Sequence, residues 1–457
     1  MKQKTLADKK YNLFRLTIPL FFETLLVILV HDIDQIMLSN YSEDAVAAVG
    51  NANQVSWVLM LFFTILGTAS TIMITQYKGA KDTHAEKTIY PLALIFNLII
   101  GVIISVLCLF WSRELFALMR VSTGSTIDYA TQYLTITGGT VITQAVITTY
   151  SSFLRSNAYM KDALIISIVI NVLNIGGNFA ALYLLDWGVI GVAVSTSVSR
   201  LIGMIIIIIM FRIRIGRIHW SKLRTGRPMR HLVKMLKIGI PAAGEALSYD
   251  SSQLIIMSFI NTMGNNAVNA KIYVYLIVAL AYLFTSAVSQ AMQVVVGYHL
   301  GAKNIKESES CVWKTLRMAI ISSVGLTILL YFFSDQVLGI FTKNPEVLRL
   351  GKQVFAVEII LEFGRACNIT MVRALQAAGD VKFPTIMSIA FSWCVSVSLG
   401  YILGIVFDLG LIGIWIAMTV DEVVRGFILI GRFRRGKWKE LDLVGEKTEE
   451  EPEAVTA

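Results

Sequence analysis

Long apolar runs alternate with short polar segments along almost the whole chain. Runs long enough to cross the hydrocarbon of a bilayer, which takes about 20 apolar residues of helix, lie at 13–38, 48–77, 90–111, 130–154, 163–185 and 188–212. A second set lies at 235–262, 268–298, 313–335, 346–374, 383–407 and 409–431. The pattern predicts an all-α integral membrane protein of twelve transmembrane helices, because the short alternating segments of a β-barrel are lacking. Only Asp186-Trp187-Gly188 separates the fifth run from the sixth, which predicts a tight turn there. The first run is too long for a cleaved signal segment and has no small-residue cleavage site, so it counts as a helix.

The twelve runs fall into two sixes that match at an offset of 222 residues. Pro19 and Glu23 pair with Pro241 and Glu245, and Gly79-Ala80-Lys81 pairs with Gly301-Ala302-Lys303. Asp186, Gly188 and Gly191 pair with Asp408, Gly410 and Gly413. Between these the register slips to 218, where Arg155 and Asp162 meet Arg373 and Asp380. A fixed long period of this kind marks duplication. An even number of spans per half relates the halves by an axis along the membrane normal. The expected organisation is an N-terminal six-helix lobe (1–212), a basic linker (213–234), a C-terminal six-helix lobe (235–435) and an acidic disordered tail (436–457), with a central cavity between the lobes.

Charge then sets orientation. Apolar residues make up 55% of the chain and charged ones only 16%, below the quarter or so of a soluble protein. The net charge of +9 would suit nucleic acid on a soluble surface, but here the basic residues sit in loops between apolar runs. With the N-terminus cytoplasmic, 31 of the 40 lysines and arginines fall on the cytoplasmic side, as the positive-inside rule requires. Both termini are therefore expected in the cytoplasm. Cys108, Cys311, Cys367 and Cys394 have no CxxC or metal-ligand spacing. No GxxxxGK[ST] loop is present, and His31 and His299 stand apart from any HExxH pattern, so neither a nucleotide-driven pump nor a membrane enzyme is indicated.

Polar groups at membrane depth are costly and are default functional candidates. The first run carries Glu23, His31, Asp32 and Asp34, with His31 and Asp34 sharing a helix face. The fifth carries a stripe of Asn171, Asn174 and Asn178, and the sixth Ser195, Thr196, Ser197 and Ser199. Counting about 1.5 Å per residue from the outer turns puts Asp34, Asn178 and Thr196 in one outer layer, with Asn174 a turn deeper. One carboxylate, two amides and a hydroxyl suit a proton or Na⁺; alternatively the asparagines hydrogen-bond helix to helix. In the second half, Glu245 and Asp250 have no cation within a turn of their own helix and are candidates for a cationic substrate or a proton, whereas Glu358 and Glu362 share a face with Arg365. Glu362–Arg365 and Asp421–Arg425 have the spacing of ion pairs within one helix, and Glu23 and Glu245 are placed to bond amides freed by Pro19 and Pro241.

The Leu16-Thr17-Ile18-Pro19 segment, Ile33-Asp34-Gln35-Ile36-Met37, Gly79-Ala80-Lys81, and the stretch from Arg373-Ala374-Leu375 through Gly379-Asp380-Val381-Lys382-Phe383-Pro384 resemble the MATE (multidrug and toxic compound extrusion) transporters over about residues 10–435. The resemblance implies two six-helix bundles forming a V. It also implies export of small amphipathic organic cations across the cell membrane, driven by Na⁺ or H⁺ influx, with no cofactor. The family's first-helix aspartate falls on Asp34, its fifth-helix asparagine on Asn174 and its sixth-helix threonine on Thr196. Where many members carry a further aspartate this chain has Asn178, one negative charge fewer. The family's C-terminal acidic residues have approximate counterparts in Glu245 or Asp250 and in Glu358 or Glu362. A lipid flippase of the same superfamily is the rival reading. It wants a cationic cavity, and Arg200 is the only lone arginine the spans supply, against several carboxylates.

Overall fold

The computed structural model describes residues 12–119, 121, 124–225, 228–441 and 443–445; the side chains of His31 and Asp32 and the end of the acidic tail lie outside them. All regular structure among these residues is helical. Twelve elements answer to the twelve expected spans. The N-terminal lobe holds α1 (Leu13–Ser39), α2 (Glu43–Ala80), α3 (Thr83–Leu118), α4 (Ser125–Gly139 continued by Ile142–Ser156), α5 (Met160–Leu184) and α6 (Gly188–Arg214). The C-terminal lobe holds α7 (Pro228–Thr262), α8 (Asn265–Gly301), α9 (Ile305–Phe332), α10 (Pro345–Ala377), α11 (Lys382–Val406) and α12 (Gly410–Arg434). Eight of them are apolar enough by composition to cross a bilayer; α4, α7, α10 and α12 fall short. The last three carry Glu245, Asp250, Glu358, Glu362, Arg365, Asp421, Glu422 and Arg425, all buried or half-buried.

Helix ends follow local chemistry. Asn12 caps α1 by accepting from the Phe14 amide (3.1 Å), and Asp82 caps α3 by accepting from the Ala85 amide (2.9 Å). Asn344 caps α10 through the Glu346 amide (3.0 Å), with Pro345 as its first residue. The duplication is visible in the backbone. Asp186 and Gly188 turn into α6 with φ of 52° and 55°, and Asp408 and Gly410 turn into α12 with φ of 53° and 56°. Lys81 and Lys303 end α2 and α8 at φ of 59° and 56°. Asp162 with Arg214, and Asp380 with Arg432, each tie the start of an odd helix to the end of the following one at 2.8 Å.

The lobes meet at the inner end, meaning the end that carries the α2–α3 and α8–α9 turns. There α1 and α2 lie against α7 and α8. Leu16 and Leu20 of α1 share one apolar cluster with Ala287, Ala291 and Val295 of α8. The twin glycines cross: a Cβ on Gly79 would overlap the carbonyl oxygen of Tyr298, and one on Gly301 the carbonyl oxygen of Gln76. Gly239 of α7 lies equally close to the backbone of Ile65. Small residues of this kind let membrane helices approach to backbone contact.

Two boundaries differ from the expectation. α7 begins at Pro228, inside the segment 213–234 read as linker, because its first turns are polar and extend the helix beyond the apolar run. The segment from 436, read as disordered tail, begins with a 3-10 turn over Lys437–Glu440. Trp438 is buried, stacks on Phe433 with ring centroids 4.7 Å apart and donates its indole N–H to the Phe433 carbonyl (2.8 Å). The Lys234 ammonium donates to the Leu443 carbonyl (2.7 Å). Charge composition hid these apolar anchors.

Gly301→Val is expected to force α2 and α8 apart at a cost of about 1–3 kcal/mol, read as a lower unfolding temperature in detergent. Gly431→Ala, where a Cβ meets nothing within 4 Å, is expected to leave that temperature unchanged or slightly raised.

Candidate functional site

The three elements expected to supply the first group do bring it together. Asn178 of α5, buried beneath α1, donates through Nδ2 to Asp34 Oδ1 at 2.8 Å. Asn174, one turn deeper, donates to Thr196 Oγ1 of α6 at 3.1 Å, while Thr196 itself donates to the Val192 carbonyl (2.9 Å). The Ser195 hydroxyl donates to the Asn174 carbonyl at 3.1 Å. Asn174 and Asn178 of the stripe thus make the interhelical hydrogen bonds that spacing alone left open, Asn178 to a carboxylate, while the Asn171 amide nitrogen is buried without a partner.

Tyr133 of α4 was not among the sequence candidates. Its hydroxyl lies within hydrogen-bonding reach of Thr196, and both Asp34 and Arg200 are close enough to act on it electrostatically. Nothing in the spacing of a broken fourth helix marks Tyr133. Asn178 Oδ1 is buried without a hydrogen-bond partner, an acceptor oxygen beside the Asp34 carboxylate. Such an orphan suits a cation, and the Asp34, Asn174, Asn178 and Thr196 oxygens are hard ligands. Among the described residues no group of three or more His, Cys, Asp and Glu side chains converges.

A cavity of about 940 Å³ opens beside this group. Its wall takes in Asp34, Asn171, Asn174, Thr196 and Arg200 towards the outer end. Towards the inner end it takes in Glu23, Arg155, Gln290, Gln293 and Arg373. Glu23 is held by Arg155 across α1 and α4 at 2.6 Å, in place of the proline-freed amides expected for it. Arg373, counted by sequence with the inner loops, stands on the cavity face of α10. The wall therefore carries three arginines against two carboxylates.

The second acidic group is placed differently. Glu358 and Glu362 are buried (2% and 0% exposed) and both bond Arg365, which confirms the ion pair expected for Glu362. The Trp415 indole also donates to Glu358. Arg425 bridges Asp421 (3.3 Å) and Glu422 (3.0 Å), so the expected Asp421 pair gains a third member. Glu245 accepts from the Ser388 hydroxyl (2.8 Å) and the Gln376 amide (3.5 Å), again not from backbone amides. Asp250 accepts from the Trp57 indole of the other lobe at 3.1 Å. None of Glu245, Asp250, Glu358 and Glu362 is among the residues that line the cavity.

The geometry has counterparts in known proteins. The MatE family model matches residues 19–180 and again 241–402, one copy per lobe. The uncharacterized transporter YisQ of Bacillus subtilis is 36% identical over 436 residues, covering 94% of this chain and 96% of that one. The probable multidrug resistance protein NorM of Thermotoga maritima is 23% identical over 451 residues, covering 96% and 95%. A solved multidrug resistance MATE family transporter of the MOP superfamily, in an outward-facing conformation, superposes with a TM-score of 0.87 at 21% identity, covering 96% of this chain and all of that one. With a family model on each lobe and twelve helices folded as two six-helix bundles around a cavity, the chain belongs to the MATE family of multi-pass membrane transporters.

Proposed function

We propose that the protein is a secondary antiporter of the cell membrane, with cytoplasmic termini, that exports amphipathic organic solutes, cations among them, in exchange for inward movement of Na⁺ or a proton. The observation that carries this reading is the 2.8 Å contact of buried Asn178, with its orphan amide oxygen, on Asp34, which itself lines a solute-sized cavity. The relatives named as multidrug resistance proteins support organic solutes as cargo. The concentration of lysine and arginine at the inner end supports a cytoplasmic inner end.

In that orientation the lobes are sealed towards the cytoplasm by the α2–α8 crossing, and the cavity faces outward. A cation arriving from outside meets the Asp34 group first. Its charge is balanced by a single carboxylate, and the amide and hydroxyl oxygens replace its water. Binding moves the lobes only by as much as the ion prefers one arrangement over the other. That preference is available here because the oxygens come from α1, α5 and α6, whose relative positions a lobe rearrangement changes. Lipid-linked anions are a second reading, favoured by Arg155, Arg200 and Arg373 on the same wall.

Purified protein in proteoliposomes, given Na⁺ and proton gradients separately, is expected to expel a fluorescent amphiphile under one of them. Asp34→Asn is expected to lower that gradient-driven export at least about tenfold, the order that loss of a charged ligand brings; undiminished export would reject the role. Asn178→Asp places a second carboxylate within hydrogen-bond reach of the first, and two such groups share a proton. The expected result is a steeper pH dependence of export than in the wild type; identical pH profiles would remove Asn178 from the site.

A further inference from the structure

The two lobes carry twin arginines, Arg155 and Arg373, and twin glutamates, Glu23 and Glu245, yet the twins are used differently. In the N-terminal lobe Arg155 and Glu23 form an ion pair at 2.6 Å. In the C-terminal lobe Glu245 is turned away: its two carboxylate oxygens accept from Ser388 of α11 and from Gln376 of α10. Among the described residues, Arg373 has no carboxylate within ion-pair distance and no hydrogen bond. Its side chain is only partly buried and reaches the cavity.

Its position is rigidly set. On α10, Thr370 and Gln376 flank Arg373 at three residues either side. Thr370 bonds Ser289 of α8 (3.2 Å), and Gln376 accepts from Gln293 of α8 (3.5 Å). Arg373 is thus clamped between two cross-helix contacts, with the amides of Gln290 and Gln293 on the same stretch of wall. A guanidinium at membrane depth is expensive unless something compensates it. Here the compensating carboxylate that the duplicated partner enjoys has been diverted.

The geometry points to Arg373 as an anion subsite at the inner end of the cavity, which holds an acidic group on the cargo, with Gln290 and Gln293 as neighbouring donors. The planar guanidinium fork matches a carboxylate or phosphate through two parallel hydrogen bonds. The cargo is then an amphipathic acid or zwitterion, its apolar body along the cavity wall and its acidic group on the floor. This deepens the exporter reading and rests on it only for the word cargo, because binding at Arg373 needs no gradient.

The test is equilibrium binding by fluorescence polarisation to the purified full-length protein in neutral detergent, with rhodamine B and its ethyl ester as probes. They differ only in whether the carboxylate is free. The free acid is expected to bind at least about tenfold tighter than the ester, the amount one charge-assisted hydrogen bond supplies. Arg373→Gln is expected to erase the preference, Arg373→Lys to keep part of it, and Arg349→Gln, at an exposed arginine outside the cavity, to leave it. Equal or weaker binding of the acid by the wild type, or no binding of either probe, overturns the proposal. So does a preference that survives Arg373→Gln or vanishes with Arg349→Gln. Should Arg373→Gln not fold, the acid-to-ester ratio of the wild type and of Arg373→Lys decides. Asp34→Asn separates the two readings: lost export with the acid preference intact leaves the subsite standing, whereas intact export with no acid preference removes the subsite and leaves the antiporter. Competition by short-chain phosphatidic acid and by benzoate tells a lipid from a soluble source; the stronger competitor names it, and no competition by either overturns the subsite.

Discussion

Gly79 and Gly301 are the pivot of the molecule. Each stands where a methyl group would overlap the backbone of the other lobe, so α2 and α8 touch main chain to main chain. That contact requires two residues without side chains at symmetric points. With it, Leu16 and Leu20 pack onto Ala287 and Ala291. Which end of the cavity is closed follows from it. Gln76 donates to the Ala377 carbonyl (2.6 Å) and Tyr77 meets His231 (3.2 Å) across the same contact, which a transporter that exposes its cavity alternately must break.

The charged groups divide the lobes by role. In the C-terminal lobe Glu358 and Glu362 share Arg365, and Asp421 and Glu422 share Arg425, all deep in protein. Buried pairs of this kind cost nearly as much to desolvate as they return, but losing one member is severe. Each set lies within one helix, and α10 is tied to α12 by the Trp415 indole on Glu358 and the Asn368 amide on Glu422 (2.7 Å), so these groups offer no charge to the cavity. The N-terminal lobe instead spreads Asp34, Asn174 and Thr196 over three helices at the cavity wall, with Asn178 buried behind Asp34. Duplication produced the same scaffold twice, and the chemistry diverged on it.

Arg373 illustrates how that divergence hides from spacing. Its place in the repeat beside Arg155 predicts an ion pair with Glu245, the twin of Glu23. Ser388 and Gln376 capture the glutamate instead, and neither residue belongs to the repeat signature. The count of carboxylates over arginines in the spans therefore suggested a cavity for cations, whereas the wall itself holds more arginine than carboxylate.

The sequence alone determined the architecture, because burial in lipid imposes a fixed length of apolar helix and duplication imposes a fixed period; both are one-dimensional signals. Proline, glycine and aspartate at matching offsets likewise announced the turns at Asp186 and Asp408. It also placed Asp34, Asn174, Asn178 and Thr196 at compatible depths, since rise per residue converts numbering into height. Rotation about a helix axis and the choice of partner across helices are not encoded in spacing. Only the tertiary structure decided that Asn178 faces Asp34, that Tyr133 joins Thr196, that Glu358 and Glu362 are sealed off by Arg365, and that Arg373 is left to the cavity. Those outcomes depend on which side chains packing brings within about 3 Å of one another, and no single helix carries that information.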